Sequence, residues 1–193
     1  MATVNLGSAL SKGVNTFKAN PVFHILSFVI VLVVSSAAFG LLTGPMLVGY
    51  FKTFAKEDAG VKPELSDLFK GFDEFVPALL AGILGGIIVY IGFILCIIPG
   101  MLITPILPLA LLLIANGEKD GIQALKRAWS ILKPNLVMAA LALFVFQIIG
   151  ALGAIACLIG LLVTGPIAII ASWEVCRQLL GGASNATPAV QPA

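Results

Sequence analysis

Three stretches of the chain, Ala19 to Phe51, Phe75 to Gly117 and Pro134 to Trp173, contain no Lys, Arg, Asp or Glu. Every charge falls in the short segments between them or at the ends. A helix that faces water needs a polar side, and these runs offer none. A charge at the centre of a bilayer costs several kcal/mol, so a chain solvated by lipid keeps its charges out of its spans. The pattern predicts an all-α integral membrane protein.

Composition agrees, with 60% hydrophobic and 10% charged residues against about 45–50% and 25% in soluble domains. A length of 193 residues allows one domain, expected over residues 1–181, with a disordered Pro/Ala/Ser-rich tail over 182–193. The net charge of +2 is too small to indicate nucleic acid. One histidine, His24, leaves almost no scope for His-based metal or acid–base chemistry. Cys96, Cys157 and Cys176 have no CxxC spacing, so no zinc site or disulfide framework follows, and they read as small apolar fillers. No cofactor is indicated.

Val22 to Val34 has the length of a signal-peptide core, with Ser36-Ala37-Ala38 as its cleavage site. The apolar run continues past that site and recurs later in the chain, which argues for a span instead.

The recurrence is an internal repeat. Cys96 to Ile106 aligns with Cys157 to Ile167 through Cys, Gly, Thr, Pro and Ile, and Gly40 to Met46 offers a third copy. Upstream, Leu68 to Leu79 matches Leu125 to Leu136. Each unit reads as an amphipathic helix, an apolar helix, a Gly/Pro break and a second apolar helix. The units run about 5–56, 64–116 and 121–181.

The amphipathic segments have helical spacing. Leu6, Leu10, Val14 and Phe17 share one face; so do Leu65, Leu68, Phe69, Phe72 and Phe75; so do Ile122, Leu125, Trp129 and Leu132. Such helices lie in the headgroup plane with cations on the wet side. Lys12, Lys18, Lys126, Arg127 and Lys133 are the candidates to meet anionic headgroups.

Lys and Arg occur in the segments between the runs and never at the breaks, so the positive-inside rule puts both ends of every run, and both termini, in the cytoplasm. Each run is then a hairpin. Two crossings need roughly 40 residues; the second and third runs suffice, and the first is short. About six membrane helices are expected, with residues 46–56 and 166–180 either crossing or re-entering.

Few residues suggest a site. Thr43-Gly44-Pro45, Pro99, Thr104-Pro105 and Thr164-Gly165-Pro166 mark the breaks. A broken helix frees backbone groups that transporters use to bind ions, or it simply turns the chain. Gln147, the only amide of the third long helix, either lines a polar path or bonds a neighbouring helix. Glu174 and Arg177 read as an ionisable membrane site or as an interfacial i,i+3 ion pair. No arrangement of positioned titratable groups suggests catalysis.

The order Gly92 to Gly100, then Leu107-Pro108-Leu109-Ala110, then Asp120 with Ala124-Leu125 and Ser130, then Gly160 and Thr164-Gly165-Pro166 resembles a group of uncharacterised bacterial multi-pass proteins. Some of them are similar to the membrane domain attached to glycerophosphodiester phosphodiesterases. The likeness covers about Phe69 to Leu180 and lacks the phosphodiesterase domain. It implies a bacterial inner-membrane location and no catalytic residue. The function expected is a non-enzymatic, lipid-associated scaffold or partner-binding membrane subunit, as a homo-oligomer or with another membrane protein. The alternative is a small-molecule or ion transporter or channel built on the broken helices.

Overall fold

The computed structural model describes residues 4–38, 40–95, 97–155 and 158–186, and among these every regular element is helical. The order is α1 (Leu6–Ala19), α2 (Pro21–Ala37), α3 (Thr43–Asp58), a 3₁₀ helix (Leu65–Glu74), α4 (Phe75–Leu95), α5 (Ile97–Ile103), α6 (Ile106–Ala115), α7 (Gly121–Leu132), a 3₁₀ turn (Lys133–Asn135), α8 (Leu136–Ile155) and α9 (Leu158–Ala186).

Local chemistry sets many of these limits. Asn5 caps α1 by accepting the Ser8 N–H at 3.0 Å, and Asp120 caps α7 by accepting the Ile122 N–H at 2.8 Å; each satisfies a donor the first turn leaves free. Pro21 begins α2, where its fixed φ suits a helix and its missing N–H costs nothing. Gly60 (φ +74°) and Gly117 (φ +103°) follow the ends of α3 and α6 in the left-handed conformation that favours glycine.

Three helical stretches, Leu65–Leu95, Gly121–Ala151 and Gly160–Gly181, are long and apolar enough to cross a membrane. A fourth arises if α1 and α2, bent by 103° at Asn20, count as one span. The second legs of the first two expected hairpins are shorter. α3 has 16 residues, and the leg after α4 is divided at Thr104-Pro105 into α5 and α6.

The short legs form the centre. α3 buries Met46, Val48, Tyr50, Phe51 and Phe54, and α6 buries Leu109 through Ile114. The long helices form the wall and turn apolar side chains outward: Val76, Tyr90 and Ile94 on α4 are 63%, 68% and 68% exposed, and Val137 on α8 is 69% exposed. An apolar exterior of this extent suits lipid and not water.

The third uncharged run departs from expectation. α9 runs unbroken through Gly165-Pro166, which the sequence reading treats as a break. Pro166 removes the hydrogen bond to the Leu162 carbonyl, but a membrane helix tolerates this where neighbours enclose the site. Gly165 and Pro166 are buried, and Gly165 sits against the Phe28 ring. The segment 166–180 is therefore part of one long helix, and α9 also takes in residues 182–186 of the expected tail. Cys96, Cys157 and residues 187–193 lie outside the described residues.

The amphipathic segment before α4 winds as a ten-residue 3₁₀ helix, long for this form. Backbone proximity to α3 accompanies it. A Cβ on Gly49 would stand 1.8 Å from the Leu68 carbonyl oxygen, and one on Gly71 would stand 1.9 Å from the Pro45 carbonyl oxygen. Without a hydrophobic drive between helices in lipid, such close approach of small residues is what packing supplies.

Candidate functional site

The ion pairs join segments far apart in sequence. Arg177 grips Glu174 through two hydrogen bonds, at 2.9 and 3.1 Å, reaches Asp58 at 3.0 Å, and lies over the Trp173 ring at 5.3 Å. Asp58 also receives Lys12. The Asn5 N–H donates to Gln178 Oε1 at 2.8 Å, so α1 is fastened to the end of α9. Lys52 pairs with Glu74, and Arg127 with Glu118. Lys56 and Lys70 both contact Asp67 Oδ1 at 2.6 Å. The carboxyl ends of α3 and α9, the amino end of α1 and the 3₁₀ helix thus form a charged collar.

Of the headgroup candidates, Lys18, Lys126 and Lys133 are exposed, whereas Lys12 and Arg127 are engaged with Asp58 and Glu118. α1 packs along α9, burying Ala9, Gly13 and Phe17. α7 turns Ala124, Leu125, Ala128 and Leu132 inward, yet leaves Ile122 and Trp129 outside beside Lys126. In the 3₁₀ segment Phe69, Phe72 and Phe75 stack in series, with centroids 6.3 and 6.0 Å apart.

Inside the collar lies a buried polar cluster. His24 is fully buried. Its Nε2 is 3.3 Å from Glu57 Oε2, and its Nδ1 is 3.4 Å from Tyr50 Oη. Asn20 Nδ2 donates to the other Glu57 oxygen at 3.0 Å. The rings of Phe17, Phe23 and Phe54 pack around the imidazole. Through Asn20, Glu57 clamps the bend between α1 and α2.

A separate cavity has a volume of about 510 Å³, within the range of small-molecule sites. Phe28, Phe51, Leu107, Leu143 and Ile169 supply apolar walls, and Thr104, Gln147 and Ser172 supply the polar groups. Thr104 donates to the Gly100 carbonyl at 2.9 Å and Ser172 to the Ala168 carbonyl at 2.7 Å, so both hydroxyls are spent on their own segments. Gln147 is exposed and borders the cavity at its edge.

The break residues do not converge. Thr43 borders a shallow groove with Gly40, Gly82 and Gly86. Thr164 donates to the Gly160 carbonyl at 3.0 Å. Pro45 is buried near the start of α3, Pro99 is exposed in α5, Pro105 precedes α6 and Pro166 sits within α9. Only Thr104 and Gln147 of the path candidates share the cavity.

Sequence reasoning set aside His24, passed over Glu57 and assigned no site to Lys52, Lys56 or Lys70. One signal was available for the first: His24 and Tyr50 are polar rings inside a run that otherwise excludes charge. Comparison with protein-family models, curated proteins and solved structures finds no match, so no activity is carried over from a relative.

Proposed function

We propose that this chain is a non-enzymatic, lipid-associated integral membrane protein that holds a lipid acyl chain in its central cavity. The observation that carries this reading is the cavity itself: apolar walls, about 510 Å³, and the Gln147 amide at its exposed edge. An apolar chain fills the walls, and a carbonyl or hydroxyl near its head satisfies the amide, which is otherwise costly in an apolar setting. Stacked Phe69, Phe72 and Phe75 and exposed Trp129 suit headgroup-level placement of the 3₁₀ segment and α7, as aromatic side chains do at membrane interfaces.

In this reading the three runs are repeated units whose second legs, α3, α5–α6 and α9, differ in reach, and the charged collar faces the cytoplasm of a bacterial inner membrane. The likeness to the phosphodiesterase-associated membrane domain belongs to the same reading, as does association with a second copy or another membrane protein. The transporter alternative is weaker, because Thr43, Thr104 and Thr164 do not line one route.

The test is native mass spectrometry after extraction in mild detergent. The wild type retains lipid, and Ala168→Phe, which fills the cavity, reduces retention while thermal stability is kept. Equal lipid retention by both proteins removes the cavity from the account. Solute flux in proteoliposomes that Ala168→Phe abolishes favours the transporter.

A further inference from the structure

We infer that Lys56 and Lys70, with Lys52 beside them, bind a phosphate group carried by a membrane lipid. The inference rests on reading the chain as lipid-associated but concerns a different place from the acyl-chain cavity. Both lysine ammonium groups touch the same oxygen, Asp67 Oδ1, at 2.6 Å, and so stand within about 5 Å of each other. Asp67 is buried and contributes one negative charge to two positive ones. Its second oxygen accepts the Glu64 N–H at 2.9 Å. Lys52 is matched by Glu74 and also donates to the Lys70 carbonyl at 3.0 Å. Two ammonium groups thus share one carboxylate oxygen, with the Glu64 carboxylate also acting on Lys70, and Lys70 is half exposed.

That pair rims an open depression of about 470 Å³ at the junction of α3, α6 and the 3₁₀ helix. Its lining adds the apolar Ala55, Ala59, Val61 and Ala115 and the Asp67 carboxylate that the two lysines share. The depression begins at Lys52, the first charge after the first uncharged run, and a cation beside an apolar run suits the level where headgroups meet acyl chains. Two ammonium groups so close form a pincer for the oxygens of one phosphate, through charge-assisted hydrogen bonds. A cationic rim over an apolar wall fits an amphiphile better than a free anion.

The experiment labels lysines with an amine-reactive acetylating reagent and reads each site by mass spectrometry. Wild-type protein is compared in phosphatidylcholine nanodiscs, in the same nanodiscs containing phosphatidic acid, and in phosphatidylcholine nanodiscs with inorganic phosphate. The expected result is protection of Lys56 and Lys70 by phosphatidic acid, with Lys126 and Lys133 little changed. Uniform protection of all lysines, or none, overturns the site. Protection by inorganic phosphate as complete as by phosphatidic acid overturns the lipid assignment. Lys70→Gln, which keeps the Lys56–Asp67 pair, weakens phosphatidic acid binding about fivefold, the equivalent of one juxtamembrane lysine at about 1 kcal/mol. Lipid retention that responds to Ala168→Phe while Lys56 and Lys70 stay reactive leaves the cavity standing and removes this site alone.

Discussion

His24 Nε2 and Glu57 Oε2 stand 3.3 Å apart, the imidazole wholly buried and the carboxylate nearly so. The pair joins α2 to the end of α3, and Asn20 adds a bond to the second carboxylate oxygen at 3.0 Å. Glu57→Ala strands the Asn20 amide and removes the carboxylate that faces the imidazole Nε2, which has no other polar neighbour among the described residues. A buried polar group left unsatisfied costs about 1–3 kcal/mol, and in a chain of this length each kcal/mol lowers Tm by roughly 2–4 °C. Thermal unfolding in detergent checks this, and a double-mutant cycle with His24→Leu isolates the coupling. Additive losses would show that the two side chains are neighbours without an interaction.

Gly49→Ala should be among the most damaging single changes. Its Cβ meets backbone, 1.8 Å from the Leu68 carbonyl oxygen, and backbone cannot rotate away as a side chain does. The expected loss is several kcal/mol, in the range of severe overpacking. Gly86→Ala is the control, since its Cβ meets nothing within 4 Å and a helix interior gains up to about 1 kcal/mol from the exchange. Comparable stability for the two variants in thermal unfolding would mean that α3 and the 3₁₀ helix are not in backbone contact.

These contrasts show which features the sequence carries openly. The uncharged runs and the faces of α1 and α7 are local patterns, so Phe17, Leu125 and Leu132 are placed inward by spacing alone. Ile122 and Trp129 share the apolar stripe of α7 but stay outside, because Ala124 and Ala128 allow close packing on an adjoining side. Pro166 misleads because its tolerance depends on burial, and the neighbouring Gly165 sits against Phe28 of α2, far away in sequence. Glu57 and the Lys56–Lys70 pair are invisible locally, since each gains meaning only when α3 folds back against α2 or the 3₁₀ helix. The cavity is likewise a property of several helices, and Gln147 marked it only as an isolated amide.

Arg177 connects three groups at once: Glu174, Asp58 and the Trp173 ring. Arg177→Lys keeps the charge but loses the two-pronged contact with Glu174 and the flat stacking surface, so it is not a conservative change. Arg177→Met also leaves Glu174, which is buried, without its cation. Because the guanidinium is half exposed, the loss falls below the 3–5 kcal/mol of a fully buried pair broken on one side, at about 1–2 kcal/mol. Thermal unfolding should rank wild type above Lys above Met. Recovery of the Met variant by Glu174→Gln would identify the stranded carboxylate as the cause.

The two tryptophans report the position of α7. Trp129 is 41% exposed on the outer side of that helix, and Trp173 is 3% exposed within the bundle. Trp173→Phe leaves Trp129 as the single indole, flanked in sequence by Lys126 and Lys133. If α7 lies at headgroup level, lipids brominated near the glycerol should quench its fluorescence more than lipids brominated near the chain ends, because indoles favour that depth. Trp129→Phe, which keeps the buried Trp173, should respond weakly to either. Strong quenching of Trp129 by the deepest bromines would place α7 within the hydrocarbon, and no quenching from any depth would place it in water; either result removes the interfacial reading of this helix.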